Sequence, residues 1–356
     1  RSTEDIDWFW PAALEDLGVE WFKPYRTLYD DSKGMPWTKW FLGGKINIVH
    51  NILDRHIRAG IGDKIALYFE MDDGSSRTAT YRELYDLVNV LAASMKASGI
   101  KKGDVVGMCM SISIEAVAIM LAAMKIGAIC MQIASRISAD EIVESLNLGN
   151  AKILFMNDGY RRGGKWIDCE RIYAFVCAHV PSLMNIVFVR RGNVFDPTAD
   201  DRKAIWWDDF LSIGSGLKTP KTEKLDSEHL ALILFSSGTT GKSKVILHTH
   251  GGVLVPVARE VGYGFDCNAG DVFYWFTNIG WMMAPWEIIG TLFFGASLVV
   301  YEGTHLYPTP HRMFELIEKY RITIFGFTPT ALRGLAKINE DFSGHNLSSL
   351  RILGST

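Results

Sequence analysis

From Thr80 to Asn157 the sequence alternates two hydrophobic rhythms, and this alternation limits the folds open to the chain. "TYRE" has the spacing of a capping box, Thr80 with Glu83, and opens an amphipathic helix that Gly99 ends. "DVVGMCM" (104–110) is a short continuous apolar run of buried-strand type. "SIEAVAIMLAAMKIG" follows as a helix, with Ser113 as its cap and Gly127 as its stop. "AICMQI" reads as a strand, "SADE" as a second capping box (Ser138 with Glu141), and "AKILFMN" as a strand again. Strands and helices alternating at this spacing predict β-α-β units, hence an α/β fold with mainly parallel sheets.

The pattern resumes after "IGSGLKTPKTEKLDSE" (213–228), whose Gly, Ser, Pro, Thr and Lys content predicts a linker. "LALILF", "DVFYWF", "ASLVVYE", "ITIFGF" and "LRILGS" read as strands. "GGVLVPVARE", "PHRMFELIEKY" and "PTALRGLAKI" read as helices. The expected organisation is a Trp- and Pro-rich extension over 1–75, a first α/β subdomain over 76–215 and a second over 226–356, stacked in series. The last strand ends the chain at Thr356 without a closing helix, which suggests a truncated chain.

Bulk properties exclude several functions. A net charge of −3 gives no footprint for nucleic acid or an anionic membrane surface. The N-terminus lacks a basic stretch followed by an apolar one, so no signal peptide is visible. Residues 279–301 are long enough to span a bilayer, but Glu287, Pro285, Gly290 and Gly295 interrupt them, so a buried helix and a buried strand are expected. None of the five cysteines has C-x-x-C spacing, which fits reduced thiols in a cytoplasmic protein.

The chemistry concentrates in "LFSSGTTGKSK" (234–244). It approaches a Walker loop, G-x-x-x-x-G-K-[ST], but Ser236 stands at the first glycine position. A Walker loop also opens a helix, whereas "VILHT" follows here and favours a strand. Strand, loop, strand is the expected arrangement. The loop still suits phosphate. Ser236, Ser237, Thr239 and Thr240 offer hydroxyl donors, Gly238 and Gly241 admit close backbone approach, and Lys242 and Lys244 add charge. The plain alternative is a solvated hairpin loop.

Two other clusters are read from residue type alone. "HTH" is expected to place His248 and His250 on one strand face, without a third metal ligand at useful spacing. The doubled acids Asp72-Asp73 and Asp208-Asp209 read as solvated turns.

"FSSGTTGKSKVILHTHGG" resembles the signature loop of the adenylate-forming enzymes, the superfamily of acyl-CoA synthetases, luciferases and peptide-synthetase adenylation domains. The usual ending is T-G-x-P-K, and here Ser243 replaces the Pro. The resemblance covers nearly the whole chain. "WTKWFLGGKINIVHNILDRH" is similar to the N-terminal segment of acetyl- and propionyl-CoA synthetases, and "TNIGWMMAPWEIIGTLFFGASLVVYEG", "FGFTPTALRGL" and "LRILGST" resemble later family motifs. It implies the large N-terminal domain of that fold without its C-terminal lid domain.

The implied activity is that of an AMP-forming acid–CoA ligase, using ATP, Mg²⁺ and coenzyme A on a small carboxylate such as acetate or propionate. The loop Ser236–Lys244 would hold the β- and γ-phosphates, with Thr239, Thr240 and Lys244 as direct contacts. Trp281, Met282, Met283 and Thr356 match positions that wall the acyl pocket of short-chain synthetases, and acetoacetyl-CoA synthetases carry a similar "GWMM". Gly354 and Ser355 would lie beside the nucleotide. In "YRRGGK", Arg162 and Lys165 match the cations that meet the CoA 3′-phosphate. Arg136 departs from a glycine-rich step near the pantetheine. Alternatives are an adenylating enzyme with a different acceptor and a non-catalytic nucleotide-binding fragment. The family's Mg-binding Thr-Glu motif, ribose-binding Asp and catalytic Lys have no counterpart up to Thr356.

Overall fold

The structure is a computed structural model, and it describes residues 2–135, 137–192, 195–198, 203–236 and 244–355. The two capping boxes form as the sequence predicts. Thr80 accepts from the Glu83 N–H and Glu83 returns a bond to the Thr80 N–H, which starts the helix Tyr81–Ala97. Ser138 and Glu141 do the same for Ala139–Leu148. Each such cap contributes about 1 kcal/mol, because it satisfies backbone donors that the helix itself leaves free. Ser113 caps the helix Ile114–Lys125, all of whose residues are buried. Such all-round burial needs a covering layer on each side.

Two sheets supply those layers. The first has the order Ala204–Trp206, Asn185–Val189, Ile153–Asn157, Val105–Cys109, Ile129–Gln132, Leu230–Ser236, Lys244–Thr249. The second has the order Ile352–Ser355, Ile324–Phe327, Val272–Trp275, Ser297–Glu302, Ile65–Met71, Ser76–Thr80. Neighbours run parallel in both, except that each sheet ends in one antiparallel pair. One hydrophobic core joins strands of both sheets to the helices between them. The expected α/β class with two stacked layers and mainly parallel sheets is what the structure shows.

Sheet membership departs from the order in sequence. Ile65–Met71 and Ser76–Thr80, at the limit expected between the extension and the first subdomain, close the second sheet. Leu230–Ser236 and Lys244–Thr249, placed beyond 226 by the sequence reading, close the first. Apolar rhythm identifies a strand but not its partner, so the crossing between layers leaves no local signal. The expected linker is also tied down. The Ser227 hydroxyl donates to the carbonyls of Trp40 at 2.9 Å and Phe41 at 2.8 Å. Lys125, buried, donates to Asp54 at 3.0 Å and to Thr222 at 2.7 Å.

The segment 279–301 divides as expected into the buried helix Met283–Phe293 and the strand Ser297–Glu302. Among the described residues no helix is long and apolar enough to cross a membrane.

Candidate functional site

In parallel sheets, ligands bind beyond the carboxyl ends of the strands, where loops diverge and helix amino ends converge. Several predicted residues occupy that position. Ser236 ends the strand Leu230–Ser236, and Lys244 is paired opposite it at the start of Lys244–Thr249. These two residues form the neck of the hairpin whose loop was read as phosphate-binding. Ser237, Gly238, Thr239, Thr240, Gly241 and Lys242, together with Ser243, lie outside the described residues, as do Arg136 and Thr356. The antiparallel pairing of Leu230–Ser236 with Lys244–Thr249 confirms a strand on each side of these residues, so the next described element is a strand and not the helix of a Walker site.

Met282, Met283 and Ser355 come together on one cavity of about 780 Å³. His248, Trp275 and Trp286 line it as well. Trp275 ends the strand Val272–Trp275 and meets Trp286 edge to face at 5.3 Å between ring centroids. Trp281 is 56% exposed and does not line this cavity. Its neighbours Met282 and Met283 are half-buried at the amino end of the helix Met283–Phe293. Gly354 lies in the strand Ile352–Ser355, where a Cβ would fall 2.8 Å from both the Trp275 and Phe265 rings. The backbone there approaches the aromatic wall as only glycine allows.

The helix His250–Arg259 forms another wall and was read in the sequence only as a helix. Gly252, Val253, Pro256 and Val257 face the cavity, and Arg259 and Glu260 stand farther along it. The spacing of "GGVLVPV" marks one helical face, but a sequence does not say what that face borders. Arg259 and Glu260 pair at 2.9 Å, and the second Glu260 oxygen accepts the Trp286 indole N–H at 2.9 Å. Burial holds the His248 imidazole below its ordinary pKa, which favours the neutral ring.

His250 is not on the strand with His248. Lys244–Thr249 ends one residue earlier, and Thr249 caps the next helix by accepting the Gly252 N–H at 3.0 Å. His250 turns inward, fully buried, and its Nδ1 accepts the Ile48 N–H at 3.2 Å. The period of two fails because Thr249 starts a helix.

Arg162 and Lys165 are cross-strand partners on a hairpin, Gly159–Arg162 with Lys165–Asp168. Both are exposed. The turn uses Gly163 at φ 55° and Gly164 at φ 75°, where other residues are strained. Arg162 borders a narrow cleft with Ser111, Asn278 and Glu302, apart from the large cavity. Asp72 corrects the solvated-turn reading. It is 2% exposed and accepts the Gly164 N–H at 3.1 Å, so it braces this hairpin. Asp208 and Asp209 are exposed on the first turn of the helix Trp207–Gly214, where acids favour the helix dipole.

In sequence and fold the chain is similar to known proteins. Residues 53–356 match the family described as AMP-binding enzyme, and residues 1–52 match the acetyl-coenzyme A synthetase N-terminus. An acetyl-coenzyme A synthetase from Mycolicibacterium smegmatis is 37% identical over 98% of this chain, which spans 37% of that protein. One from Pyrobaculum arsenaticum is 33% identical over 100% of this chain and 54% of its own length. The solved acetoacetyl-CoA synthetase from Streptomyces lividans superposes with a TM-score of 0.91 at 27% identity, covering 99% of this chain and 53% of that one. The chain therefore spans about half the length, or less, of these relatives. With the family match over residues 53–356, most of its length, the chain belongs to the AMP-binding enzymes.

Proposed function

We propose that the protein is part of an AMP-forming acid–CoA ligase that activates a small carboxylic acid. The observation that carries this reading is the convergence of Met282, Met283 and Ser355 on one cavity at the strand ends, in a chain whose residues 53–356 match the AMP-binding enzymes. Acetyl- and acetoacetyl-CoA synthetases among the relatives support a short acid as substrate.

In the first step a carboxylate oxygen attacks the α-phosphorus of ATP, and the bond to pyrophosphate breaks. In the second the CoA thiolate attacks the acyl carbon, and AMP leaves. The work of the chain is to position the acid and offset phosphate charge. Ser236, Ser237, Gly238, Thr239, Thr240, Gly241, Lys242 and Lys244 hold the β- and γ-phosphates in this reading. Gly354 and Ser355 flank the nucleotide, Met282 and Met283 bound the acyl group with Thr356 and Trp281 at its margin, and Arg162 and Lys165 meet the CoA phosphate. Mg²⁺ would enter with ATP. Among the described residues no group of three His, Cys, Asp or Glu side chains is gathered to hold a metal ion.

The test is acid-dependent ATP–pyrophosphate exchange, followed by thioester formation on addition of CoA. Exchange and thioester with at least one carboxylic acid are expected. Exchange without thioester would replace CoA by another acceptor, and no exchange with any acid would overturn adenylation.

A further inference from the structure

Arg162 and Lys165 stand directly opposite each other across the turn Gly163–Gly164. Positive φ at both glycines, 55° and 75°, is the geometry that closes a tight hairpin. Directly opposed residues share a face, so the turn sets two cations side by side. Like charges so placed repel, and an anion held between them offsets the repulsion. A hairpin of two short strands is marginal in water by itself, so whatever holds it decides where these cations stand.

The root and the tip of the hairpin are held by different sheets. At the root, Asp158 follows the first-sheet strand Ile153–Asn157 and is fully buried. Its carboxylate accepts the Arg191 N–H at 2.6 Å and the Gly192 N–H at 3.1 Å. The Trp166 ring closes over Gly159 and Gly192, where a Cβ would stand 2.2 and 2.6 Å from ring atoms. At the tip, Asp72 follows the second-sheet strand Ile65–Met71. Its N–H donates to the Glu302 carbonyl at 3.0 Å, and its carboxyl accepts the Gly164 N–H at 3.1 Å. That carboxyl is buried, and its other oxygen has no hydrogen-bond partner among the described residues. A buried acid with one bond is a poor source of stability, but it is a fixed acceptor aimed at the turn between the two cations.

Resting on the acid–CoA ligase reading, we propose that Asp72 is a positioning residue for the thiol substrate. By holding the Gly164 N–H it fixes Arg162 and Lys165 relative to both sheets, and so sets the preference for CoA over the same thiol without its 3′-phosphate. The root contacts at Asp158 and Trp166 fix where the hairpin starts, and the Asp72 contact fixes where it ends. The effect falls on thiol binding and leaves attack on ATP untouched, because Asp72 is not among the residues of the large cavity or the phosphate loop.

The experiment compares CoA with dephospho-CoA in thioester formation by the full-length protein, with ATP–pyrophosphate exchange without thiol as the control. Asp72→Ala is expected to raise KM for CoA about tenfold, leave KM for dephospho-CoA unchanged, and leave exchange unchanged. Asp72→Asn keeps a carbonyl acceptor for Gly164 and is expected to keep most of the preference for CoA. If Asp72→Ala does not fold, Asp72→Leu removes the acceptor without opening a cavity and carries the same expectation. An unchanged CoA preference in the Ala or Leu variant overturns the inference, and so does an equal loss in the Asn variant. A wild-type protein that uses both thiols equally overturns the inference together with the Arg162 and Lys165 contact, and leaves adenylation standing. If no acid supports exchange, adenylation fails, and calorimetric titration with adenosine 3′,5′-bisphosphate decides the hairpin separately. Binding weakened about tenfold by Asp72→Ala, or by Asp72→Leu, sustains the positioning role, and equal or undetectable binding overturns it.

Discussion

Glu287 accepts the backbone N–H of Trp275 at 2.9 Å, and this bond fastens the middle of the helix Met283–Phe293 to the strand end that lines the cavity. The carboxyl group is fully buried, and its other oxygen has no hydrogen-bond partner among the described residues. Burial pushes its pKa well above the usual carboxylate range, with the Trp275 bond only partly opposing that rise. The folded protein therefore holds a neutral acid where an ion would be costly.

The pH dependence follows from that proton. Above pH of about 4.5 the unfolded chain releases it while the folded chain keeps it, so stability falls as pH rises, by up to about 1.4 kcal/mol per pH unit. Glu287→Gln keeps the acceptor and removes the titration. Between pH 5 and 8, the wild-type protein is expected to lose urea resistance relative to this variant. Parallel profiles would show that Glu287 is ionised in the fold.

Trp275 is paired across the sheet with Gly326, where a Cβ would stand 1.9 Å from the indole Cε3. Gly326 sits inside the strand Ile324–Phe327, and sheet pairing on both sides limits its retreat. Gly326→Ala is expected to destabilise the protein by about 1–3 kcal/mol through overpacking. It should also alter acid selectivity in exchange, because Trp275 is the residue displaced. An unchanged urea midpoint would mean that the sheet yields freely at this point.

Local chemistry was legible in the sequence. Thr80 with Glu83, Ser138 with Glu141, and Ser113 act within one helical turn, and all three formed as expected. Met282, Met283 and Ser355 were reached through motif resemblance and do share a cavity. Properties set by distant partners were not legible. The hairpin Ile65–Thr80 carries no mark of the sheet it joins. Asp72 resembled a solvated acid because its partner, Gly164, is 92 residues away. His250 left the strand because Thr249 caps a helix, a role that "HTH" alone does not reveal.

His250 gives an acid-side prediction. Burial, reinforced by His229 and Lys102, lowers its pKa to about 3. Below pH of about 6.5 the unfolded chain takes up a proton that the folded chain refuses, so stability falls as pH decreases toward 3, by up to about 1.4 kcal/mol per unit. His250→Asn retains an acceptor for the Ile48 N–H and removes the titration. Thermal unfolding between pH 7 and 5 is expected to be flatter for this variant. An equally steep wild-type and variant response would place the acid sensitivity elsewhere.

Arg191 joins the two layers and provides the largest expected loss. It bonds Glu115 on the helix Ile114–Lys125 at 3.2 Å and Glu302, at the end of a second-sheet strand, at 3.3 Å. Arg77, from that sheet's edge, completes the cluster at 2.7 Å from Glu115. Burial opposes ionisation of Glu115, but Arg191 and Arg77 outweigh it and hold the pKa near 2. At Glu302 burial prevails over Arg191 and raises the pKa to about 7. The Arg191 side chain is 9% exposed, so Arg191→Met would leave two buried carboxyl groups without their shared cation. Such a deletion costs about 3–5 kcal/mol, chiefly from the charge left behind. Adding Glu302→Gln should restore part of that loss at pH 8, where the folded chain must hold the abandoned Glu302 either protonated or as an unpaired ion while the unfolded chain ionises it freely, and less at pH 5.5, where keeping the proton costs less. Urea midpoints of the two single variants and the double variant at both pH values measure the coupling. Simple additivity at pH 8 would show that Arg191 and Glu302 act independently, despite the 3.3 Å contact between them.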